Sequence, residues 1–212
     1  MQNIHKIAVI GGTGKSGKYL VQQLLQQGFP IKMLCRNPET FSNQHPLIEV
    51  VPGSVRDYDT VHGLIEGCQA VISTLGQPKG ETPVFSQATT NVLLAMGVCG
   101  LRRYIVTTGL NVDTPFDKKG AATSAGTEWM KAHYPLTTAD KQRESELLLE
   151  SDIDWTLVRL PLIELMDTRN EVRVSLEDCP GEKIGVRDLA DFLIAQLFEE
   201  TYIKKAPFIA NV

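Results

Sequence analysis

The sequence predicts a single α/β domain built on a doubly wound parallel sheet with helices on both faces. Short β-branched segments alternate with longer segments of helical periodicity along all 212 residues, and this alternation is typical of a parallel sheet covered by helices. Residues 7–10 are apolar at every position, as expected of a strand buried on both faces. No Ser/Gly-rich linker and no repeat divides the chain, and its length fits one domain.

Seven strands and five helices are predicted. The strands occupy residues 7–10, 31–35, 48–51, 70–74, 103–107, 154–159 and 207–209, the last as an edge strand. The helices occupy residues 15–27, 58–65, 84–96, 138–150 and 187–199. Residues 111–126 form the longest stretch without periodicity and are predicted to be an irregular loop at the ligand-binding edge.

Composition excludes several classes of function. The formal net charge is −4 and no Lys/Arg block stands out, which argues against a protein that binds nucleic acid. No apolar run reaches the ~18 residues of a membrane span, and residues 1–6 lack the apolar stretch of a signal peptide. The four cysteines form no CxxC pair and the four histidines, His5 among them, show no ligand spacing, so we expect a cytoplasmic protein without a metal site.

A glycine-rich loop follows the first strand directly. Residues 11–17 contain the pattern G-x-G-x-x-G after one further glycine, and a helix opens inside the motif. Glycine lets the main chain approach a pyrophosphate closely, and the helix N-terminus directs free N–H groups at it. The residues predicted to bind the phosphates of a dinucleotide in this Rossmann-like arrangement are Gly11, Gly12, Thr13, Gly14, Lys15, Ser16 and Gly17.

The end of the second strand predicts which dinucleotide is bound. A site for NAD usually carries an acidic residue there, for the ribose 2′-hydroxyl, whereas this chain has Arg36. A guanidinium suits the 2′-phosphate of NADP, with Lys15 as a second positive charge, so NADP is favoured over NAD. Because the carboxyl ends of parallel strands line the ligand crevice, further contacts are predicted at Ser54, Val55, Thr74, Leu75, Gly76, Thr107 and Thr108.

These motifs, in their order and spacing, resemble the atypical short-chain dehydrogenases/reductases with NmrA-like and NAD(P)H-binding domains. The resemblance covers essentially the whole chain and includes residues 71–76, Thr107-Thr108, and the segments 154–161 and 185–190. Within that group the chain is most similar to the biliverdin-IXβ reductase family, also called NADPH-dependent flavin reductases. The resemblance implies hydride transfer from NADPH to a planar conjugated acceptor, with Pro161 and Leu162 near the nicotinamide carboxamide.

The chain departs from the usual dehydrogenase pattern at the acceptor end. A Tyr-x-x-x-Lys pair normally supplies a proton, but the position four before Lys141 is Thr137, and Tyr134 has no lysine four residues later. The serine that the biliverdin-IXβ reductases carry after the fifth strand falls on Gly109. Ketone–alcohol chemistry is therefore not expected, whereas flavin reduction needs no dedicated protein acid.

Three residues are candidates for the chemistry at this end. Thr108 is predicted either to bind the nicotinamide or the acceptor, or to form a hydrogen bond with the main chain at the end of the strand. Lys141 is predicted either to contact the ribose or the substrate, or to form a salt bridge with Glu144 or Glu146. Tyr134 is predicted to border the substrate pocket. Phe116 or Trp129 is a candidate to cover a flat acceptor.

Two functions remain open. The protein is either a reductase of a small molecule, acting as a monomer or small homo-oligomer, or a non-catalytic NmrA-like redox sensor. A sugar-nucleotide epimerase or dehydratase is disfavoured because the tyrosine and a substrate domain are both missing.

Overall fold

The computed structural model describes residues 6–41, 45–77, 80–166 and 168–212; the predictions that concern residues 1–5, including His5, fall outside these ranges. The strands are β1 (Ile7–Ile10), β2 (Ile31–Cys35), β3 (Ile48–Pro52), β4 (Ala70–Ser73), β5 (Arg103–Gly109), β6 (Asp154–Leu160), β7 (Leu162–Glu164), β8 (Val172–Ser175), β9 (Lys183–Gly185) and β10 (Phe208–Asn211). The α-helices are α1 (Gly17–Gln26), α2 (Tyr58–Ile65), α3 (Phe85–Cys99), α4 (Ala121–His133), α5 (Pro135–Leu149) and α6 (Val186–Ala195).

Eight strands form one sheet, in the order β3-β2-β1-β4-β5-β6-β10-β8. All neighbours are parallel except β10 and β8, which run antiparallel, and β7 pairs with β9 in a small second sheet. The succession of strands reverses between β1 and β4, and in such sheets ligands bind at the carboxyl ends of the strands beside that reversal. The predicted fold class is confirmed.

The core has two layers, one on each face of the sheet. Ala8 and Ile10 of β1 pack on the side of α2, α3 and α5, whereas Ile7 and Val9 pack on the side of α1 and α6. Because successive strand residues point to opposite faces, an apolar strand such as β1 contributes to both layers. Among the described residues no helix is long and apolar enough to cross a membrane.

The predicted irregular loop is wrong over its last six residues, because residues 121–126 are the start of α4. This helix buries only Thr123 and Thr127. It therefore lacks the apolar stripe by which an amphipathic helix is recognised in a sequence. The next helix, α5, begins at Pro135, three residues before its predicted start at residue 138.

The predicted edge position of the last strand is also wrong, because β10 lies between β6 and β8 and β8 forms the edge. The alternation Val-Arg-Val-Ser in β8 is typical of an edge strand with one exposed side. The strands β7 and β9 have three residues each, which is too short for a periodic signal. The bounds of β1, β2 and α2 agree with prediction.

Candidate functional site

A cavity of about 380 Å³ opens at the carboxyl ends of β1 and β4, at the reversal of strand order. It brings together many of the predicted contact residues from four separate segments of the chain. Its lining comprises Ile10, Gly11, Thr13, Gly14, Lys15, Leu34, Arg36, Ser54, Val55, Arg56, Thr74, Leu75, Gly76, Gln77, Glu81 and Val84. We call this cavity the cleft.

Gly11 is required by the crossing of two main-chain segments at the floor of the cleft. Its φ of 79° lies in the left-handed region, which side chains other than glycine rarely adopt. A Cβ at this position would stand 2.7 Å from the Thr74 carbonyl carbon and 2.9 Å from the Leu75 nitrogen. The Gly14 N–H donates to the Gly11 carbonyl oxygen at 2.9 Å, which closes the turn. This turn accepts no side chain at residue 11.

The turn leads directly into α1 and leaves donors exposed. No described residue accepts a hydrogen bond from the main-chain N–H of Thr13, Lys15 or Ser16. Free amides at a helix N-terminus form a binding site for phosphate, so the residues present fit a pyrophosphate. The other two glycines serve packing, because a Cβ on Gly12 would meet the Met33 side chain and one on Gly17 would overlap the Gly11 carbonyl.

Two arginines line the end of the cleft beside β2 and β3. Arg36 is exposed, and its Nη1 donates to Glu81 Oε1 at 2.9 Å. Arg56, which sequence reasoning missed, donates from Nη2 to the Thr82 carbonyl oxygen at 2.7 Å. The signal for Arg56 was its position in the turn after β3, between the predicted contact Val55 and the start of α2.

The turn after β3 is held by two side chains. Ser54 Oγ accepts from the Arg56 N–H at 3.2 Å, and Asn91 Nδ2 of α3 donates to the Val55 carbonyl oxygen at 2.9 Å. These bonds fix the main chain that carries Ser54 and Val55 into the cleft.

Lys15 connects the glycine loop to the strand that follows β6. Its Nζ donates to the Ile163 carbonyl oxygen of β7 at 2.8 Å. The Lys15 ammonium is thus bonded to β7, and it lines the cleft together with Arg36 and Arg56. Pro161 is buried and Leu162 is exposed; neither lines the cleft, although both directly precede the carbonyl that Lys15 binds.

At the end of β5, few polar groups lack a hydrogen-bond partner. Thr107 Oγ1 donates to the Ser73 carbonyl oxygen at 3.3 Å, a contact between neighbouring strands. Thr108 Oγ1 is buried and has no hydrogen-bond partner among the described residues. A Cβ on Gly109 would overlap Asn111 Oδ1 and stand 3.8 Å from Lys141 Nζ. Asn111 thus occupies the space that a serine at residue 109 would need.

Lys141 places its side-chain nitrogen beside Gly109. Its Nζ lies 4.8 Å from the centre of the Phe85 ring, and burial lowers the pKa of Lys141, against the opposing effect of Glu144. Burial raises the pKa of Glu144 to about 7, and Thr89 Oγ1 donates to Glu144 Oε1 at 2.9 Å. Of the two predicted partners, Glu144 acts on Lys141, whereas Glu146 pairs with Arg143 at 3.0 Å.

The aromatic residues predicted for the acceptor pocket do not line the cleft. Tyr134 lies at the junction of α4 and α5, 52% exposed, with its ring 5.7 Å from that of Trp129. Tyr134 is also about 10 Å from Lys141 along the axis of α5, at 1.5 Å a residue. Phe116 lines a different cavity, beside Trp155. For Trp129 and Tyr134 the reason is the helix α4, which was not predicted, and the early start of α5, which together keep these side chains at the outer surface.

Comparison with known proteins agrees with this geometry. The profile of a family described as NAD(P)H-binding matches residues 11–200. An oxidoreductase of Pestalotiopsis microspora is 40% identical over 75 residues, which cover 32% of this chain and 29% of that protein. The chain therefore matches less than a third of that relative's length.

Two solved structures share the fold. A short-chain dehydrogenase/reductase from Veillonella parvula, solved in complex with NADP, superposes with a TM-score of 0.80 at 15% identity, over 98% of this chain and 94% of that one. An anaerobilin reductase from Escherichia coli gives a TM-score of 0.82 at 16% identity, over 97% of both chains.

Proposed function

Since the chain belongs to the NAD(P)H-binding family, we propose that it is an NADPH-dependent reductase of a flavin or a similar planar conjugated acceptor. The observation that carries the proposal is the end of β5. There a buried, unpartnered Thr108 hydroxyl and the Lys141 ammonium flank Gly109, and no phenol lines the cleft. Such a site can position an acceptor but has no tyrosine to protonate an alkoxide.

The preference for NADPH rests on the charges at the adenosine end. Arg36 and Arg56 present two guanidinium groups to the cleft, and a guanidinium binds a phosphate through two parallel hydrogen bonds. The carboxylate that lines the cleft there, Glu81, is already bonded to Arg36. A 2′-phosphate would thus meet two cations, whereas the 2′-hydroxyl of NADH would offer neither arginine a negative charge.

The residues of the chain would bind and orient the reactants. When bound, NADPH supplies a hydride, two electrons with one hydrogen nucleus, and water supplies the proton that completes the reduction. The amides of Thr13, Lys15 and Ser16 would hold the pyrophosphate. Thr108 would donate to the nicotinamide end, and Lys141 would offset negative charge that develops on the acceptor. Correct placement of the two flat rings supplies most of the acceleration in such a site.

Two acceptor classes deserve separate assays. The resemblance to biliverdin-IXβ reductases, within the atypical short-chain group with NmrA-like members, supports a flavin or a linear tetrapyrrole. The structural neighbour that is an anaerobilin reductase supports the second class by analogy of fold. We propose the cytoplasm as the location, in keeping with four free cysteines, Cys35, Cys68, Cys99 and Cys179.

The decisive experiment mixes purified protein with NADPH and FMN, riboflavin or biliverdin and follows the nicotinamide absorbance band. We expect oxidation above the uncatalysed rate with at least one acceptor. Measurable NADPH binding without any turnover would instead favour the redox sensor, which binds the dinucleotide and signals through another protein.

Two substitutions test the assignments within the cleft. Arg36→Ala and Arg56→Ala should each weaken NADPH about tenfold while leaving NADH almost unchanged, because each removes a charge-assisted contact to phosphate. Arg102→Ala is the matched control, since Arg102 pairs with Asp154 on the exposed surface. Equal affinity of the unaltered protein for NADPH and NADH would contradict the preference.

Lys141→Met tests the acceptor end. It should lower kcat with the acceptor while the Kd for NADPH changes by less than about threefold, if Lys141 acts mainly on developing charge. Lys131→Met is the control, because Lys131 lies on α4 and pairs with Glu128 at 3.0 Å.

A further inference from the structure

A second cavity, of about 310 Å³, lies over β6 beside the C-terminal end of α5. Six apolar side chains line it, from five segments of the chain: Pro115, Phe116, Leu149, Trp155, Leu176 and Ala206. None of the residues that line it also lines the cleft. Small-molecule pockets span roughly 300–1,000 Å³, so this volume suits a compact ligand.

The mouth of this second cavity is apolar and open, whereas its floor is buried. Phe116 is 75% exposed, Leu149 48% and Leu176 37%, while Trp155 at the floor is 3% exposed. Large apolar side chains that cluster around a concave surface indicate a binding site more often than isolated ones do.

The walls are held in place by the fully buried Arg159. Its Nε donates to the Ala206 carbonyl oxygen at 2.9 Å and its Nη2 to the Leu176 carbonyl oxygen at 3.3 Å. Its Nη1 pairs with Asp117 at 2.7 Å, and the guanidinium lies 3.5 Å from the centre of the Phe208 ring. These contacts join the segments on three sides of the cavity, so the cavity exists before any ligand arrives.

The remaining charge at the second cavity is positive. Lys204, Lys205 and Arg159 line it and no carboxylate does. Because Asp117 already balances the charge of Arg159, the charge that remains is that of the two lysines. Lys205 Nζ is bonded to the Thr201 carbonyl oxygen at 2.8 Å. No described residue forms an ion pair or hydrogen bond with Lys204 Nζ.

The main chain at Lys204 is strained. Its φ of 55° lies in the left-handed region, alone among the described residues other than glycine, and its N–H donates to the Trp155 carbonyl oxygen at 2.7 Å. Such strain persists where surrounding contacts enforce it and clusters at binding sites. Here the strained conformation places Lys204 next to Trp155 at the floor of the cavity.

We propose that the second cavity binds a small amphiphilic carboxylate, with its hydrocarbon part against Phe116, Leu149 and Trp155 and its carboxylate at Lys204. The apolar walls exclude a strongly hydrated ligand, and the lysines without an opposing acid favour an anion over a neutral or cationic molecule of equal size. The site is separate from the cleft and does not depend on the function proposed for it.

The test compares octanoate with 1-octanol and octylammonium, three probes of one chain length and different charge. Binding is followed by calorimetry and by Trp155 fluorescence in a Trp129→Phe background, since the protein has two tryptophans. We expect saturable binding of octanoate, weaker binding of 1-octanol and none of octylammonium. No saturable octanoate binding, or equal binding of octanoate and 1-octanol, would overturn the proposal.

Two variants locate the ligand. Lys204→Gln should weaken octanoate about fivefold, as loss of a partly exposed charge contact does, and leave 1-octanol unchanged; Lys18→Gln on α1 is the matched control. Leu149→Glu should weaken octanoate more than about tenfold by placing a like charge at the mouth. Circular dichroism and NADPH affinity report that both variants fold.

Sedimentation at several protein concentrations tests a second copy of the chain as the occupant. We expect the oligomeric state to be the same for the unaltered protein and for Leu149→Glu. A dimer that Leu149→Glu dissociates would show that this surface is an interface and would overturn the ligand proposal.

Discussion

Around the cleft, in what we call the adenosine half after the proposed binding of NADPH, most of the groups that would face the pyrophosphate belong to the main chain. There Gly11 is left-handed, and the N–H groups of Thr13, Lys15 and Ser16 donate to no described residue. The acceptor half, named after the proposed acceptor, lies beyond the lining of the cleft and includes β5, β6 and the segment 109–117 between β5 and α4. It presents side chains such as Lys141, and buried charges such as those of Arg159 and Asp117 hold the surrounding segments. The adenosine half therefore depends on backbone geometry. The acceptor half depends on whether each buried charged group gains more from its partner than it loses on leaving water.

The largest expected effect concerns the buried ion pair of the acceptor half. Asp117→Ala leaves the Arg159 guanidinium buried without a counter-charge, which should lower the free energy of unfolding by about 3–5 kcal/mol. Urea denaturation measures the change. Glu177→Ala is the control, because its pair with Lys118 is exposed and should contribute less than about 1 kcal/mol. Equal losses in both variants would contradict the special contribution of the buried charge pair to the acceptor half.

Gly11→Ala should have the next largest effect, in the adenosine half. The added Cβ meets main-chain atoms of residues 74 and 75 and the residue must keep a positive φ, so we expect NADPH affinity to fall about a hundredfold, near 3 kcal/mol. NADPH fluorescence titration measures it. Gly76→Ala is the matched control, since Gly76 also lines the cleft but a Cβ there meets nothing within 4 Å.

A smaller effect is expected from the buried carboxyl group of Glu144. Its pKa is raised to about 7 from 4.5, so the folded state retains the proton longer than the unfolded state and stability falls as the pH rises between these values. Glu144→Gln keeps an acceptor for Thr89 and should abolish this loss, about 2 kcal/mol between pH 5 and 7. Unfolding midpoints across that range measure it, with the exposed Glu146→Gln as control. An unchanged slope in Glu144→Gln would contradict the assignment.

The smallest effect is expected at the exposed pair of the adenosine half. Glu81→Gln removes the carboxylate that binds Arg36 and should tighten NADPH binding two- to threefold, because exposed pairs contribute less than about 1 kcal/mol. An equal increase in the affinity for NADH would show that the effect does not depend on contact between Arg36 and the 2′-phosphate. Glu128→Gln, remote on α4, is the control for net charge.

The same difference explains what could be predicted from the sequence. The glycine loop and the bounds of β1, β2 and α2 follow from local patterns, since a strand, a turn and a helix start each leave a signal within a few residues. Arg36 followed from its position after β2. These predictions needed no knowledge of which distant segments meet.

The acceptor half could not be predicted to the same extent. Helix α4 buries two threonines rather than an apolar stripe, and its presence moves Tyr134 to the surface. Asn111 occupies the space that a side chain at residue 109 would need, and Glu144 acts on the pKa of Lys141. Both contacts depend on how α5 packs against β5 and α3. Arg56 was missed for a related reason, because its direction depends on contacts with residues 82 and 87.

The position of Arg159 in the chain bears on the order of folding. Its partners lie at residues 112, 117, 176 and 206, so this corner of the molecule cannot close until the segment before β10 has docked. Contacts so distant in sequence usually form late. Loss of Asp117 should therefore accelerate unfolding far more than it slows folding, and a nascent chain would complete its adenosine half well before its acceptor half.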